Sequence, residues 1–312
     1  MRYNPRARLD TRRMRNAGGG GMGGGAGGRL PIPGGVRAGG GVGTLVIIIL
    51  YVVLTQCGGG GGGTTLPSQS LDTSRVSSAS GDSSRYADCK TGADANNSTD
   101  CARVADENSL YSFWSKELGS KFQPEQAVET FNDGVGTGCG QASADMGPFY
   151  CPQDHVIYLD STFFKDILQG QLNGPSGAFV EPYVLAHEYG HHIQFLLGTM
   201  SKVKTQQGPN SDSVRLELQA DCYAGMWTKN ATTTTDSGGE ALIQDLTDQD
   251  ISTAIAAAKS VGDDRIQSET TGRVNPDQWT HGSAAARVKW FQTGYQQGSL
   301  DACDTFKPAT VE

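Results

Sequence analysis

The segment 184-VLAHEYGHHIQ-194 decides the fold, because its apolar residues flank a polar core within a helix predicted over residues 181–197. His187 and His191 are four residues apart, so their imidazoles lie on the same helical face, one turn apart. Two imidazoles in this arrangement can bind a single zinc ion. Glu188 lies beside that face, where its carboxylate can take a proton from a metal-activated water and pass it to a leaving amine.

A catalytic zinc ion usually has three protein ligands and one open position. The motif 217-ELQAD-221, in a second predicted helix over residues 213–227, supplies two carboxylates on one helical face. We assign Glu217 as the third ligand and Asp221 as the hydrogen-bond acceptor that orients a ligand histidine. The reverse assignment of these two acids stays open. His192 points about 100° away from His191 and is interpreted as structural.

A third cluster, 275-NPDQWTHGS-283, contains His281. Hydrolysis of an amide needs a donor or cation where the tetrahedral oxyanion develops, and His281 is the candidate, with Asp277 or Arg287 near it. A structural histidine at the start of the following helix is the alternative. His155 starts a predicted strand and is interpreted as its cap.

The charge of the 312-residue chain is divided by region. The first 40 residues contain Asp10 as their one acid and eight arginines, whereas the whole chain has a net charge of −8. The arginines are Arg2, Arg6, Arg8, Arg12, Arg13, Arg15, Arg29 and Arg37. The remainder is therefore strongly acidic and would repel phosphate, which argues against nucleic-acid binding.

The apolar run 44-TLVIIILYVVLT-55 predicts a single transmembrane helix over residues 41–57. A cleaved signal peptide and a lipoprotein signal ending at Cys57 are the alternatives. The predicted organisation is a disordered Arg- and Gly-rich cytoplasmic tail (1–40), the transmembrane helix (41–57), a flexible Gly- and Ser-rich stalk (58–85) and one domain (86–312). The arginines would keep the N-terminus in the cytoplasm, which predicts a single-pass protein of the cell membrane with an extracytoplasmic domain.

Six of the seven cysteines follow the predicted transmembrane helix over residues 41–57, an even number that fits disulfide bonds in an oxidising compartment. Proximity in the sequence favours the pairs Cys89–Cys101 and Cys139–Cys151, which leaves Cys222 with Cys303. A zinc cluster is the rival reading of these cysteines, but no C-x-x-C pair is present. The domain should therefore contain three disulfide bonds.

Further helices are predicted over residues 107–118, 124–131, 248–261 and 282–297, and a strand over residues 155–160. Several helices with one confident strand indicate an α+β domain, mostly helical with a small sheet.

Taken together, several motifs resemble the predicted neutral zinc metallopeptidases, a membrane-anchored or secreted bacterial group. They are 139-CGQASADMGPFYCPQDHVIYLD-160, 187-HEYGHHIQ-194, 217-ELQADCYAGMW-227, 261-VGDDRIQ-267, 280-THGSAAARVKWF-291 and 302-ACDTF-306. The resemblance implies a zincin-like fold, with residues 155–160 as the edge strand where a peptide can add to the sheet. It also implies that Glu217 binds zinc, that Asp221 supports the first histidine, as in thermolysin-type enzymes, and that His281 stabilises the oxyanion.

The sequence therefore predicts a membrane-anchored, extracytoplasmic endopeptidase that binds Zn²⁺ and cleaves a peptide or protein substrate with Glu188 as general base. Two alternatives stay open: a non-catalytic zinc-containing module that binds a peptide or an envelope component, and a hydrolase of a non-protein amide. The intact Glu188 argues against the first, because a structural zinc site needs no base.

Overall fold

A computed structural model of the chain describes residues 1–18, 83–132, 134–143 and 146–312. Within these ranges it contains a small mixed sheet, a short ribbon, a hairpin and seven α-helices. The strands are β1 (Arg2–Tyr3), β2 (Met14–Gly18), β3 (Ala127–Phe131), β4 (Gly134–Thr137), β5 (Gly140–Ser143), β6 (Phe149–Cys151), β7 (Val156–Asp160) and β8 (Ile243–Asp245). The helices are α1 (Gly92–Ala95), α2 (Thr99–Leu118), α3 (Val180–Leu196), α4 (Asp212–Asn230), α5 (Asp248–Ser260), α6 (Asp263–Thr271) and α7 (Ala284–Gln297).

The main sheet has the strand order β2-β3-β7-β6. Strand β3 is parallel to both β2 and β7, and β6 is antiparallel to β7. Strands β1 and β8 form an antiparallel ribbon, and β4 and β5 form a hairpin. The predicted α+β content is therefore present, and the antiparallel strand β6 lies at one edge of the described sheet.

Two sequence predictions about the sheet are wrong. The helix predicted over residues 124–131 is strand β3, which is buried at all five positions. A strand covered on both faces loses the alternation that distinguishes it from a buried helix, so periodicity misassigned it. The strand predicted at the sheet edge is β7, but it lies between β3 and β6. The prediction was wrong because β6, with three residues, is too short to be recognised from the sequence.

The helices α3 and α4 approach each other closely at Gly190. A Cβ atom added at Gly190 would lie 3.1 Å from the Cα of Ala220, tighter than ordinary van der Waals contact. Helices α4 and α7 approach still more closely, since a Cβ at Gly294 would lie 1.8 Å from the carbonyl oxygen of Cys222. Glycine at these crossings lets the backbones meet, which brings the polar residues of α3 and α4 within contact distance.

Three disulfide bonds join Cys89 to Cys101, Cys139 to Cys151, and Cys222 to Cys303, which confirms the predicted pairing. The first joins the segment before α1 to α2, and the second joins the turn of the β4–β5 hairpin to β6. The third fastens α4 to the C-terminal segment across 81 residues. Each therefore clamps an element that borders the polar helices or the sheet edge.

Residues 1–18 are part of the folded domain, which corrects the prediction of a disordered tail for this part of the chain. Strand β2 pairs with β3 in register from Met14 opposite Val128, and Met14 is fully buried. The arginine of this segment closest to the core, Arg13, donates to the buried carboxylate of Glu107 at 2.6 Å. Arginine content alone misled the sequence prediction, because pairing with a partner strand more than 100 residues away leaves no local signal.

The predicted transmembrane helix over residues 41–57 lies outside the described residues. Among the residues that are described, no helix has both the length and the apolar character needed to cross a bilayer. The fold class is therefore corrected to an α+β domain that includes residues 1–18, with no transmembrane helix among the described residues.

Candidate metal centre

The side chains of His187 and His191 on α3 and of Glu217 on α4 converge in the interior of the domain. One ligand atom from each lies within 4.8 Å of the others. Glu217 Oε2 is 3.2 Å from His187 Nε2, and Glu217 Oε1 is 3.5 Å from His191 Nε2. In the described part of the chain, these three residues form the one group of three or more ligand-type side chains placed to hold a metal ion.

Asp221 orients the first of these histidines. Its Oδ1 is 2.9 Å from His187 Nδ1, and since a carboxylate only accepts, Nδ1 carries the hydrogen and Nε2 faces Glu217. Arg287 donates to both carboxylate oxygens of Asp221, at 2.9 and 3.0 Å, and the Tyr183 hydroxyl donates at 2.6 Å. The Asp221 carboxylate thus accepts from three residues, His187, Arg287 and Tyr183.

Gln194 plays the equivalent part for the second histidine, and the sequence interpretation missed it. Its amide nitrogen donates to the carbonyl oxygen of Leu216 at 2.6 Å, which fixes the amide orientation. The amide oxygen then accepts from His191 Nδ1 at 2.8 Å. The available signal was that Gln194 follows His191 by three residues, on the same helical face.

Glu188 lines the same cleft as the three converging residues and is 7% exposed. Burial raises the pKa of its carboxyl group, and the neighbouring His191 and His187 partly oppose this rise. A carboxyl group with a raised pKa is a better proton acceptor than an ordinary surface glutamate. Glu188 can therefore serve as a proton acceptor in the cleft beside His187, His191 and Glu217.

His281 also lines this cleft, from the loop before α7. Its Nδ1 lies 3.6 Å from Asp263 Oδ1, while Asp263 Oδ2 accepts from the backbone nitrogens of Thr280, His281 and Gly282. Burial lowers the pKa of His281, but the charges of Glu217 and Asp263 outweigh burial and raise it. His281 therefore favours the cationic form that an oxyanion would attract.

The partner expected for His281 was Asp277 or Arg287, and the structure corrects this in part. Asp277 is exposed, and Asp263 at the first turn of α6 is the carboxylate nearest the His281 ring, whose Nδ1 also lies 2.8 Å from Thr280 Oγ1. Arg287 shares the cleft with His281, but its guanidinium is bound by Asp221. Asp263 was missed because it lies 18 residues before His281, and only the packing of α6 against the loop brings the two together.

The other two histidines lie away from the cleft. His192 accepts from the Tyr150 hydroxyl at Nδ1 and donates from Nε2 to the carbonyl oxygen of Gln123. Burial lowers its pKa to about 4, so it is a neutral structural residue, as interpreted. His155 precedes β7 with a positive φ of 59°, and its ring centroid is 4.6 Å from that of Phe195.

The acidic residues of the centre are held in the charged form. Burial opposes ionisation of Glu217, but His191 and His281 outweigh it and lower the pKa. Burial likewise opposes ionisation of Asp221, and Arg287 with His187 overcomes it. Burial lowers the pKa of His187, yet Asp221 raises it to about 10, so this imidazole releases a proton when Nε2 binds a cation.

The donor set fits a zinc ion. Two imidazole nitrogens and one carboxylate oxygen are the ligands of many catalytic zinc sites, which keep one position open. Both imidazoles have their second nitrogen bound by a protein acceptor, which fixes the ring orientation as a zinc site requires. The cleft beside Glu188, with a volume of about 120 Å³, leaves space for the open position.

The chain belongs to the family described as "Putative neutral zinc metallopeptidase", whose family model matches residues 1–306. The match includes the N-terminal segment that the structure places in the sheet.

Several relatives are similar over much of their length. The uncharacterized protein Rv2575 of Mycobacterium tuberculosis (strain H37Rv) is 50% identical over 225 residues, which cover 72% of this chain and 76% of the relative. The uncharacterized protein Mb2605 of Mycobacterium bovis matches to the same extent. The uncharacterized protein YpfJ of Escherichia coli (strain K12) is 40% identical over 199 residues, 61% of this chain and 64% of the relative. No solved structure matches the chain significantly.

Proposed function

We propose that the protein is a zinc-dependent endopeptidase that hydrolyses peptide bonds in an extracytoplasmic compartment. The observation that carries the proposal is the position of Glu188, buried beside His187, His191 and Glu217 in a cleft that His281 also lines. Membership of a zinc metallopeptidase family supports it. The three disulfide bonds support the compartment, because such bonds persist where the surroundings are oxidising.

His187, His191 and Glu217 would hold the zinc ion. When bound, zinc supplies Lewis-acid polarisation of the substrate carbonyl and lowers the pKa of water towards 7. Asp221 and Gln194 keep both imidazoles in the tautomer that binds a metal through Nε2. Arg287 keeps Asp221 ionised, so the support of His187 does not depend on pH near neutrality.

Glu188 would take a proton from the attacking water and deliver it to the leaving amine. Its raised pKa suits both steps, because the group must accept and then release a proton within one turnover. His281, held by Asp263, would donate to the developing oxyanion. An extended peptide would reach these groups along β6, since Met146 to Pro148, just before this edge strand, line the cleft.

The test compares the parent protein with Glu188→Gln and with Glu181→Gln, a change on the same helix. Glu181 pairs with Arg103 and does not line the cleft, so it is a matched control. Each purified protein is incubated with a mixed peptide library, and its zinc content is measured. We expect one zinc per chain in all three, cleavage by the parent and Glu181→Gln, and at least about a 1000-fold loss in Glu188→Gln.

Cleavage by Glu188→Gln at the parental rate would refute the assigned base. If the parent held zinc but cut no peptide, a binding module or hydrolysis of a non-protein amide would replace the proposal.

A further inference from the structure

We propose that the cleft selects a large apolar side chain in the substrate residue next to the scissile bond. The expected effect on catalysis rests on the proposed function. The preference itself is inferred from the shape and chemistry of one wall of the cleft. That wall is formed by two segments outside the metal centre. They are the π-helix Phe164–Gln169 with the turn after it, and the junction between α5 and α6.

The wall is a continuous apolar cluster. Ile167, Leu172 and Ile266 form a small buried core of their own, against which Phe163 and Val261 pack. All five side chains also line the cleft that contains Glu188. Phe163 and Val261 also pack against the main core, so the wall is an extension of the interior that reaches the cleft beside the metal centre.

The opposite rim of the cleft is the segment that leads into the edge strand β6. Gly147 in this segment has a φ of +69°, and a Cβ added to it would lie 3.0 Å from the Phe163 ring. The absence of a side chain at Gly147 lets the rim come close to the wall. A peptide lying along β6 would therefore direct one side chain into the space between the rim and Ile167 and Leu172.

No free charge faces this space from the described residues that form the wall. Lys165 and Asp166 of the π-helix are exposed on its outer side. Arg287 lines the cleft, but its side chain is 5% exposed, and its guanidinium donates to Asp221 and to the carbonyl oxygen of Val261, the latter at 3.3 Å. Apart from His281 and the metal-binding residues, an acidic substrate side chain would find no available cation in this wall, and a basic one would find no available anion apart from the catalytic and metal-binding acids.

The preference should be large enough to measure. Burial of a leucine-sized side chain against such a wall favours binding by a factor of about 50, and a charged side chain loses its hydration in the same position.

The first experiment measures kcat/KM for two peptides that differ only at the residue beside the cleaved bond, leucine in one and aspartate in the other. We expect the leucine peptide to be favoured by about 50-fold. Ile266→Lys should lower that ratio by at least about 10-fold, because it places a cation in the wall. Val274→Lys is the matched control, since Val274 is 49% exposed and does not line the cleft, and it should leave the ratio unchanged.

The ratio is measured within one protein, so a reduced amount of folded enzyme does not alter it. Ile266→Ala, which enlarges the space without adding charge, should shift the preference from leucine towards phenylalanine. Equal kcat/KM for the leucine and aspartate peptides in the parent would overturn the proposal. It would also be overturned if Ile266→Lys left the leucine-to-aspartate ratio unchanged and Ile266→Ala left the leucine-to-phenylalanine ratio unchanged.

A second measurement separates this proposal from the proposed function. The dissociation constants of leucine hydroxamate and aspartate hydroxamate are measured with zinc-loaded Glu188→Gln, which needs no catalysis. Tighter binding of the leucine compound by at least about 10-fold supports the apolar cleft even if the parent cuts no peptide. Equal binding of both compounds refutes the cleft proposal even if the parent is a peptidase.

Discussion

Helix α3 carries a buried polar cluster on each of two faces, and the two clusters differ in where their positive charge comes from. On one face His187 and His191 meet Glu217. Tyr189 lies two residues after His187, about 200° around the helix, and faces the second cluster. We call this second group the Arg13 cluster: Arg13, Glu107, Glu125, Tyr111 and Tyr189.

The Arg13 cluster contains its own cation. The guanidinium donates to both oxygens of Glu107, at 2.6 and 3.2 Å, lies 3.5 Å from Glu125 and sits 4.1 Å from the centroid of the Tyr111 ring. Burial and the charge of Glu107 raise the pKa of Glu125 well above its usual range, so Glu125 stays protonated. One cation then faces one anion, and the cluster is closed.

The metal centre has no arginine in the corresponding role. Arg287 is bound by Asp221, and the ionised Glu217 has imidazoles beside it. The comparison shows that buried acids alone do not define a site. The Arg13 cluster already contains the cation that pairs with its acid, whereas a carboxylate and two oriented imidazoles that face a cleft are placed to accept an ion from solution.

The largest expected effect tests which cluster holds the metal. Glu217→Ala removes one of three ligands and should weaken zinc binding on the order of 1000-fold, about a third of a typical binding free energy for structural zinc. Glu107→Gln, in the other cluster, should leave one zinc per chain. Metal analysis after dialysis against a weak chelator distinguishes them. Retention of one zinc by Glu217→Ala would show that the ligand assignment is wrong.

Next in size is the loss of the internal cation. Arg13→Ala leaves buried Glu107 without its arginine and should reduce the free energy of unfolding by about 3 kcal/mol. Arg12→Ala is the control, because the Arg12 side chain is 84% exposed and pairs with Asp10 at the surface, so its loss should lower the free energy of unfolding much less. Urea unfolding of both variants gives the comparison. Equal losses would show that Arg13 does not close the cluster.

The smallest expected effect concerns pH and His192, which faces the sheet between the two clusters. Its pKa is lowered from 6.5 to about 4 in the folded protein, so the unfolded chain binds the proton more readily. The contribution of neutral His192 to the free energy of unfolding is therefore complete above pH 6.5 and is lost as the pH falls towards 4. The free energy of unfolding should fall by about 2 kcal/mol between pH 7 and pH 5 for this reason.

His192→Gln retains a donor for the carbonyl oxygen of Gln123 but has no group that titrates in this range. Urea unfolding at both pH values should show a smaller difference for this variant than for the parent. Zinc binding affects both proteins alike and cancels in the comparison. An identical pH dependence in the two would contradict a neutral, buried His192.

Local spacing was enough to predict the residues of the metal centre. The positions of His187, Glu188 and His191 follow from helical periodicity, as do those of Glu217 and Asp221 on the next helix. The ligand roles themselves stay a prediction until zinc is measured. The partners that hold them were only partly predicted, since Gln194 and Asp263 carry no motif and became visible through their hydrogen bonds.

The sequence by itself predicted the α+β class, the two short-range disulfide bonds with the third left by elimination, and the candidate zinc-binding residues, because these depend on composition or on spacing along short segments. Only the tertiary structure decided the rest. It showed that Met14 and Arg13 lie in the domain, that β6 is the strand at the sheet edge, and that Arg287 pairs with Asp221. These contacts join residues far apart in the chain, and their energy comes from burial and charge pairing that no local pattern records.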